Sequence, residues 1–277
     1  MSSFNADFLP NEYIHEVNVL GKFMNNHFIQ KLISSFHDYD NLYFVSKLYE
    51  NRIADYLGHT WTENKIRFFA ACLIQCFVAL RKHHLIHRDI HFWNLMLDEK
   101  YYIVLIDFHI TLDYKQKNDP QEYRVGSPDF CAPEMIKGLE YDYNSDYYRL
   151  GAMIFNVTFG EFPTEYMARN NITNIKIHYN KTLNYSYSCI DFINKLMIND
   201  KNKRLGFNSI KELKNHEFFK DFDWINFKNR MIQSPFKPKN ITRKLYNHTF
   251  IYQKRMFLTN ELLKNQRIKN PRKSPMR

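Results

Sequence analysis

Hydrophobic residues recur along this chain with two different periods. After Thr62, residues Ile66, Phe69, Ala70, Leu73, Phe77 and Leu80 fall three or four positions apart, the spacing of one face of an α-helix. Thr62 stands where a hydroxyl can cap the first turn. A shorter amphipathic helix is predicted over Asn11–Phe23, with Ile14, Val17, Val19 and Leu20 apolar. Phe28–Phe36 and Asn41–Leu48 predict two strands separated by the turn His37-Asp38-Tyr39-Asp40. Leu95–Leu97 and Tyr101–Ile106 predict a hairpin around Asp98-Glu99-Lys100. A long polar stretch runs from His109 to about Cys131, and beyond Pro133 the pattern is helical over 145–160, 188–198 and 208–215. The expected fold class is α+β: a small strand-rich N-terminal part beside a larger helical one, with no internal repeat.

Composition narrows this picture without redirecting it. The chain has 277 residues, 44% hydrophobic and 17% aromatic, enough for a sizeable core. No apolar run is long enough to span a bilayer, and MSSFNADFLPNEYIHE carries neither the basic nor the apolar region of a secretory signal. Four cysteines do not make a disulfide scaffold, and Cys72 and Cys76 have no metal-spaced partners. A reducing, cytoplasmic or nuclear compartment is the expectation. The net charge of +10 belongs to the tail: residues 237–277 hold twelve Lys/Arg against the single acid Glu261. The tail is read as a solvated end able to touch an anionic surface weakly. No nucleic-acid-binding motif accompanies it.

The chemistry concentrates in LIHRDIHFWNLML, residues 85–97, where His87-Arg88-Asp89 is followed by Asn94. The apolar strand that follows ends in Asp107. A carboxylate, an amide and a second carboxylate on neighbouring strand ends can hold a metal-phosphate and a hydroxyl together.

An ordered set of motifs then resembles a eukaryotic protein kinase. HRDIHFWN is similar to the catalytic loop and Asp107-Phe108-His109 stands where that family has Asp-Phe-Gly. GSPDFCAPE, residues 126–134, resembles the end of the activation segment. DYYRLG, from Asp146, resembles the buried helix that anchors the loop. Asp200 and Arg204 are similar to the late arginine site, with Arg204 expected to pair with Glu134. GSPDFCAPE, NHEFFKDFDW and Ser234-Pro235-Phe236-Lys237-Pro238 narrow the resemblance to the AGC group of serine/threonine kinases.

The resemblance implies ATP and Mg²⁺ as cofactors and a protein substrate or regulated protein partner. It implies a partial N-lobe over 1–48, a C-lobe over 49–221 and a basic extension over 222–277. Asp89 would be the base, Asn94 and Asp107 the metal ligands, and Met96 would lie beneath adenine. Glu16 would be the helix glutamate that pairs with a strand lysine. Ser46 falls at the gatekeeper position. Leu20, Leu32, His87 and Phe108 would stack into a column based on Asp146. Arg88 would bind an activation-loop phosphate, or pair with Glu122.

Three departures set expectations of their own. Residues 1–15 hold no lysine or glycine, and no G-x-G-x-x-G occurs anywhere, so the lid over the phosphates and its lysine are expected to be missing. His91 replaces the lysine two positions after the catalytic aspartate, giving one donor and no fixed charge. His109 replaces a glycine whose backbone angles a side chain makes costly. Two readings follow: a serine/threonine kinase that is weak or inactive alone, or a pseudokinase that scaffolds or regulates a partner.

Overall fold

The computed structural model describes residues 11–37, 41–58, 60–116, 126–182, 184–237 and 249–255. Helix α1 (Asn11–Gly21) and strands β1 (Leu32–His37) and β2 (Asn41–Lys47) open the chain. They are followed by β3 (Asn51–Arg52), α2 (Glu63–Lys82), β4 (Leu85–Ile86), β5 (Leu95–Leu97), β6 (Ile103–Leu105) and β7 (Leu112–Asp113). Helices α3 (Pro133–Ile136), α4 (Asn144–Phe159), α5 (Pro163–Arg169), α6 (Tyr187–Leu196), α7 (Lys211–Lys214) and α8 (Trp224–Lys228) complete the helical part, and β8 (Thr249–Arg255) comes last. The α+β arrangement is the one the pattern predicts.

Helix α2 is the axis of the core. Thr62 caps it, its hydroxyl accepting from the Lys65 amide. Thirteen of its twenty residues are buried, so the apolar stripe marks a helix surrounded by neighbours rather than lying on a surface. The four cysteines are buried thiols outside any disulfide, Cys72 and Cys76 packed within α2.

Two predicted elements are shorter than their pattern. The strand expected from Phe28 begins at Leu32 because the backbone before it is already committed: the Phe28 carbonyl accepts from Leu105 N at 2.9 Å and Gln30 N donates to the Leu105 carbonyl at 2.9 Å. That bridge ties the N-terminal part to β6. The helix expected over 208–215 reduces to α7, because Ser209 takes the first amides into a turn: its Oγ accepts from Lys211 N and its carbonyl from Glu212 N.

The charged tail is more than a solvated end. Strand β8 pairs antiparallel with β2 over seven residues, from Asn41↔Arg255 to Lys47↔Thr249, giving the sheet order β1-β2-β8. The segment before it returns to the core. Phe227 and Phe236 are buried, Phe227 lying 5.2 Å from Phe68 and 5.9 Å from Phe28. The Tyr56 hydroxyl donates to the Lys237 carbonyl at 2.6 Å, and Arg230 pairs with buried Asp98.

Candidate active site

The loop between β4 and β5 is held from below by one buried carboxylate. Asp146, in the first turn of α4, accepts from His87 N at 2.8 Å and from Arg88 N at 3.0 Å. Burial pushes its carboxyl up to about 6 against these two donors and Arg149. The grip holds Arg88 in the left-handed region, φ 71°, a conformation that needs such support. His87 is fully buried, with burial pushing its imidazole down to about 4. It is therefore neutral near pH 7, and its tautomer follows from its partners: Nδ1 accepts from Asp89 N (3.3 Å) and Nε2–H donates to the Ile106 carbonyl (3.2 Å). Its ring meets Phe108 edge-on at 4.9 Å. Leu20, Leu32, His87 and Phe108 are all buried.

Above this platform Asp89 points one oxygen at each of two neighbours. Its Oδ1 accepts from Ser127 N at 2.7 Å and its Oδ2 lies 3.2 Å from His91 Nε2. Burial raises its proton affinity, but the His91 and Ser127 hydrogen bonds and the nearby Arg149 outweigh it and hold the carboxyl far below the ordinary range. Asn94 donates from Nδ2 to the Asp89 carbonyl at 3.0 Å. Asp107 is close enough for the Asp89 charge to oppose its own ionisation. Burial also raises its affinity for a proton, yet the contact with His109 keeps it below normal.

The expected strain at His109 is not found. The left-handed backbone falls on Asp107, φ 68°, while His109 is absent from the left-handed region. What His109 does instead is chemical: its Nδ1 sits 2.5 Å from Asp107 Oδ1.

The segment 126–134 closes over Asp89. Gly126 has φ +85°, and a Cβ there would lie 2.3 Å from the Arg88 carbonyl and 2.4 Å from Arg149 Nη2, so the approach requires glycine. Arg149, fully buried on α4, donates to the Ser127 carbonyl (3.3 Å) and to Cys131 Sγ (2.9 Å), and lies 3.9 Å from Asp89 Oδ1. Arg204 grips Glu134 in a fork, at 2.6 and 2.9 Å. Arg88 reaches the Ile110 carbonyl and the Tyr141 hydroxyl; the expected alternative partner, Glu122, lies outside the described residues.

Residues 3–219 match the family described as Protein kinase domain. The chain belongs to the protein kinase family. Similar proteins include serine/threonine-protein kinase sgk-1 of Caenorhabditis elegans, 33% identical over 232 residues, covering 81% of this chain and 50% of that protein. Sgk1 of Danio rerio is 30% identical over 235 residues, covering 82% and 54%. Serine/threonine-protein kinase N2 of Danio rerio is 28% identical over 227 residues, covering 78% and 23%. The chain thus spans about half the length of the first two relatives and about a quarter of the third.

In this kinase domain the donor set around Asp107 and Asn94 suits magnesium. Both offer hard oxygens, and the ion ordinarily takes its other ligands from water and phosphate rather than from a protein cage. Met96, half-buried on β5, pairs with Arg52 of β3 and Val104 of β6, and Ser46 is buried on β2. Glu16 is half-buried in the middle of α1. Residues 1–15 hold no lysine for a preceding strand to offer Glu16. The strand on the free edge of β2 is instead β8.

Three contributors escaped sequence reasoning. The Ser127 amide has no side-chain signature. Arg149 lies inside the quoted DYYRLG motif, where a charged residue amid apolar ones marks burial with a partner. His15 Nε2–H donates to the Thr111 carbonyl at 2.6 Å, tying α1 to the chain just past Asp107; nothing local in the sequence announces it.

Proposed function

We propose that this kinase domain transfers the γ-phosphate of ATP to serine or threonine hydroxyls of a protein, with Asp89 at the centre of the reaction. The observation that carries this reading is the ionised Asp89 carboxylate, fixed on both oxygens beside Asp107 and Asn94 above the Asp146 platform. Phosphoryl transfer through a loose transition state asks for positioning more than for a strong base. A carboxylate held this far below the ordinary range is a poor proton acceptor in the ground state and a good orienter of a hydroxyl. Its role is therefore to accept the substrate O–H hydrogen bond and aim the oxygen. It takes the proton as the bond to phosphorus forms.

Asp107 and Asn94 would hold magnesium, which supplies positive charge to the phosphate oxygens when bound. Met96 would lie beneath adenine. Arg149 and the Ser127 amide keep Asp89 ionised and aimed. His91 replaces a fixed cation, so it contributes a hydrogen bond rather than a permanent charge at the transferred group.

The 2.5 Å His109–Asp107 contact favours a second reading, a nucleotide-independent pseudokinase module, because it occupies one of the oxygens a metal would use. Thermal shift with magnesium-ATP separates the two. The kinase reading expects stabilisation that disappears in Asp107→Ala; an identical melting temperature with and without nucleotide supports the module.

A further inference from the structure

A cavity of about 520 Å³ lies between the loop after α1, the C-terminal half of α2 and the end of α8. It shares no lining residue with the phosphate-transfer site. Among the described residues its charged lining is of one sign: Lys22, Lys82 and Lys228, with His27 and His83, and no aspartate or glutamate. Among the described residues, none of these three ammonium groups is paired with a carboxylate. His83, in the same lining, has its proton affinity lowered by burial and then by Lys22, Lys82 and His84. Lysines that line one cavity without a counter-ion raise the local positive potential. That deficit is met by an anion with several acceptor oxygens.

We propose that this cavity binds a small ligand carrying clustered phosphate groups, its charge held by Lys22, Lys82 and Lys228. Lysine ammoniums, each with three donors on a flexible stem, suit phosphates presented at varied angles. The site stands apart from the transfer reaction and does not depend on it.

The test is calorimetric titration of the full chain with inositol hexakisphosphate, without magnesium. One binding event is expected. The combined Lys22→Glu and Lys82→Glu variant should weaken it by roughly tenfold or more. Asp107→Ala, and a tail variant with Arg267, Lys269, Arg272 and Lys273 changed to glutamine, should bind as the unmodified chain does. Phosphatidylcholine vesicles carrying a phosphoinositide decide the source: capture that needs Lys22 and Lys82 assigns a lipid headgroup, and soluble binding alone assigns a free ligand. No heat with the unmodified chain, binding indifferent to Lys22 and Lys82, or binding lost in Asp107→Ala or the tail variant would overturn the proposal.

Discussion

Removing one partner of the Glu134–Arg204 pair should unfold the end of the activation segment. Arg204 is 1% exposed, and its guanidinium spends two donors on Glu134 and others on the carbonyls of Asn144 (2.8 Å) and Ile198 (3.0 Å). Glu134→Ala leaves the cation on neutral carbonyls alone. A Coulomb energy of about 4 kcal/mol is forfeited at an effective dielectric near 20. Broken buried pairs generally cost about 3–5 kcal/mol. The surviving carbonyl bonds place the expected loss near the lower end, about 3 kcal/mol. Arg204→Met should cost a similar amount by stranding Glu134. The double variant should lose markedly less than the sum, because neither charge is then left alone. Equilibrium urea unfolding of the four proteins, with slopes compared to check that the transition stays comparable, reads these differences. A Glu134→Ala loss within about 1 kcal/mol, or strict additivity in the double variant, would refute the assignment of a charge-compensating pair.

Other outcomes follow from the same geometry. His87, pushed down to about 4 from an ordinary 6.5, takes its proton in the unfolded chain before it does in the folded one. Stability should therefore fall between those values as pH drops, by about 3 kcal/mol in total. Asp146, pushed up to about 6, acts in the opposite direction between about 4 and 6, so the change of pH slope in His87→Phe isolates the histidine. A slope unchanged in that variant would remove His87 from the account. Gly126→Ala should lower stability by about 2–4 kcal/mol, through positive φ and a clash with the Arg88 carbonyl, and an unchanged melting temperature would deny the close approach. Ending the chain after Lys237 should speed amide exchange along β2, since its edge partner β8 is removed. Unaltered exchange at Tyr43–Lys47 would mean that β8 does not cover that edge.

The parts of the fold legible in the sequence are those with local causes. The spacing from Ile66 to Leu80 and the Thr62 cap announce α2, and the turn residues 98–100 announce the β5–β6 hairpin. The loop motif with Asp89 and Asn94, and Asp107 beyond it, was equally readable, because residue type and order carry it. What escaped depends on contacts distant in sequence. The first strand starts late because Leu105, about 75 positions away, has taken the preceding backbone. Strand β8 pairs across some 200 residues with β2, inside a stretch whose charge spoke of solvent. At the site, the strain expected at His109 lies on Asp107, since side-chain identity does not reveal which residue of a tight turn takes the left-handed angle. Ser127 acts through its backbone, which every residue shares.

The role of Asp89 in directing phosphate transfer is read by incubating the purified chain with magnesium and γ-labelled ATP beside a protein substrate, in parallel with Asp89→Asn. Weak label on serine or threonine is expected, at a rate reduced about 100-fold or more by the substitution. The same label in both proteins, or none from a folded chain that binds nucleotide, would contradict it.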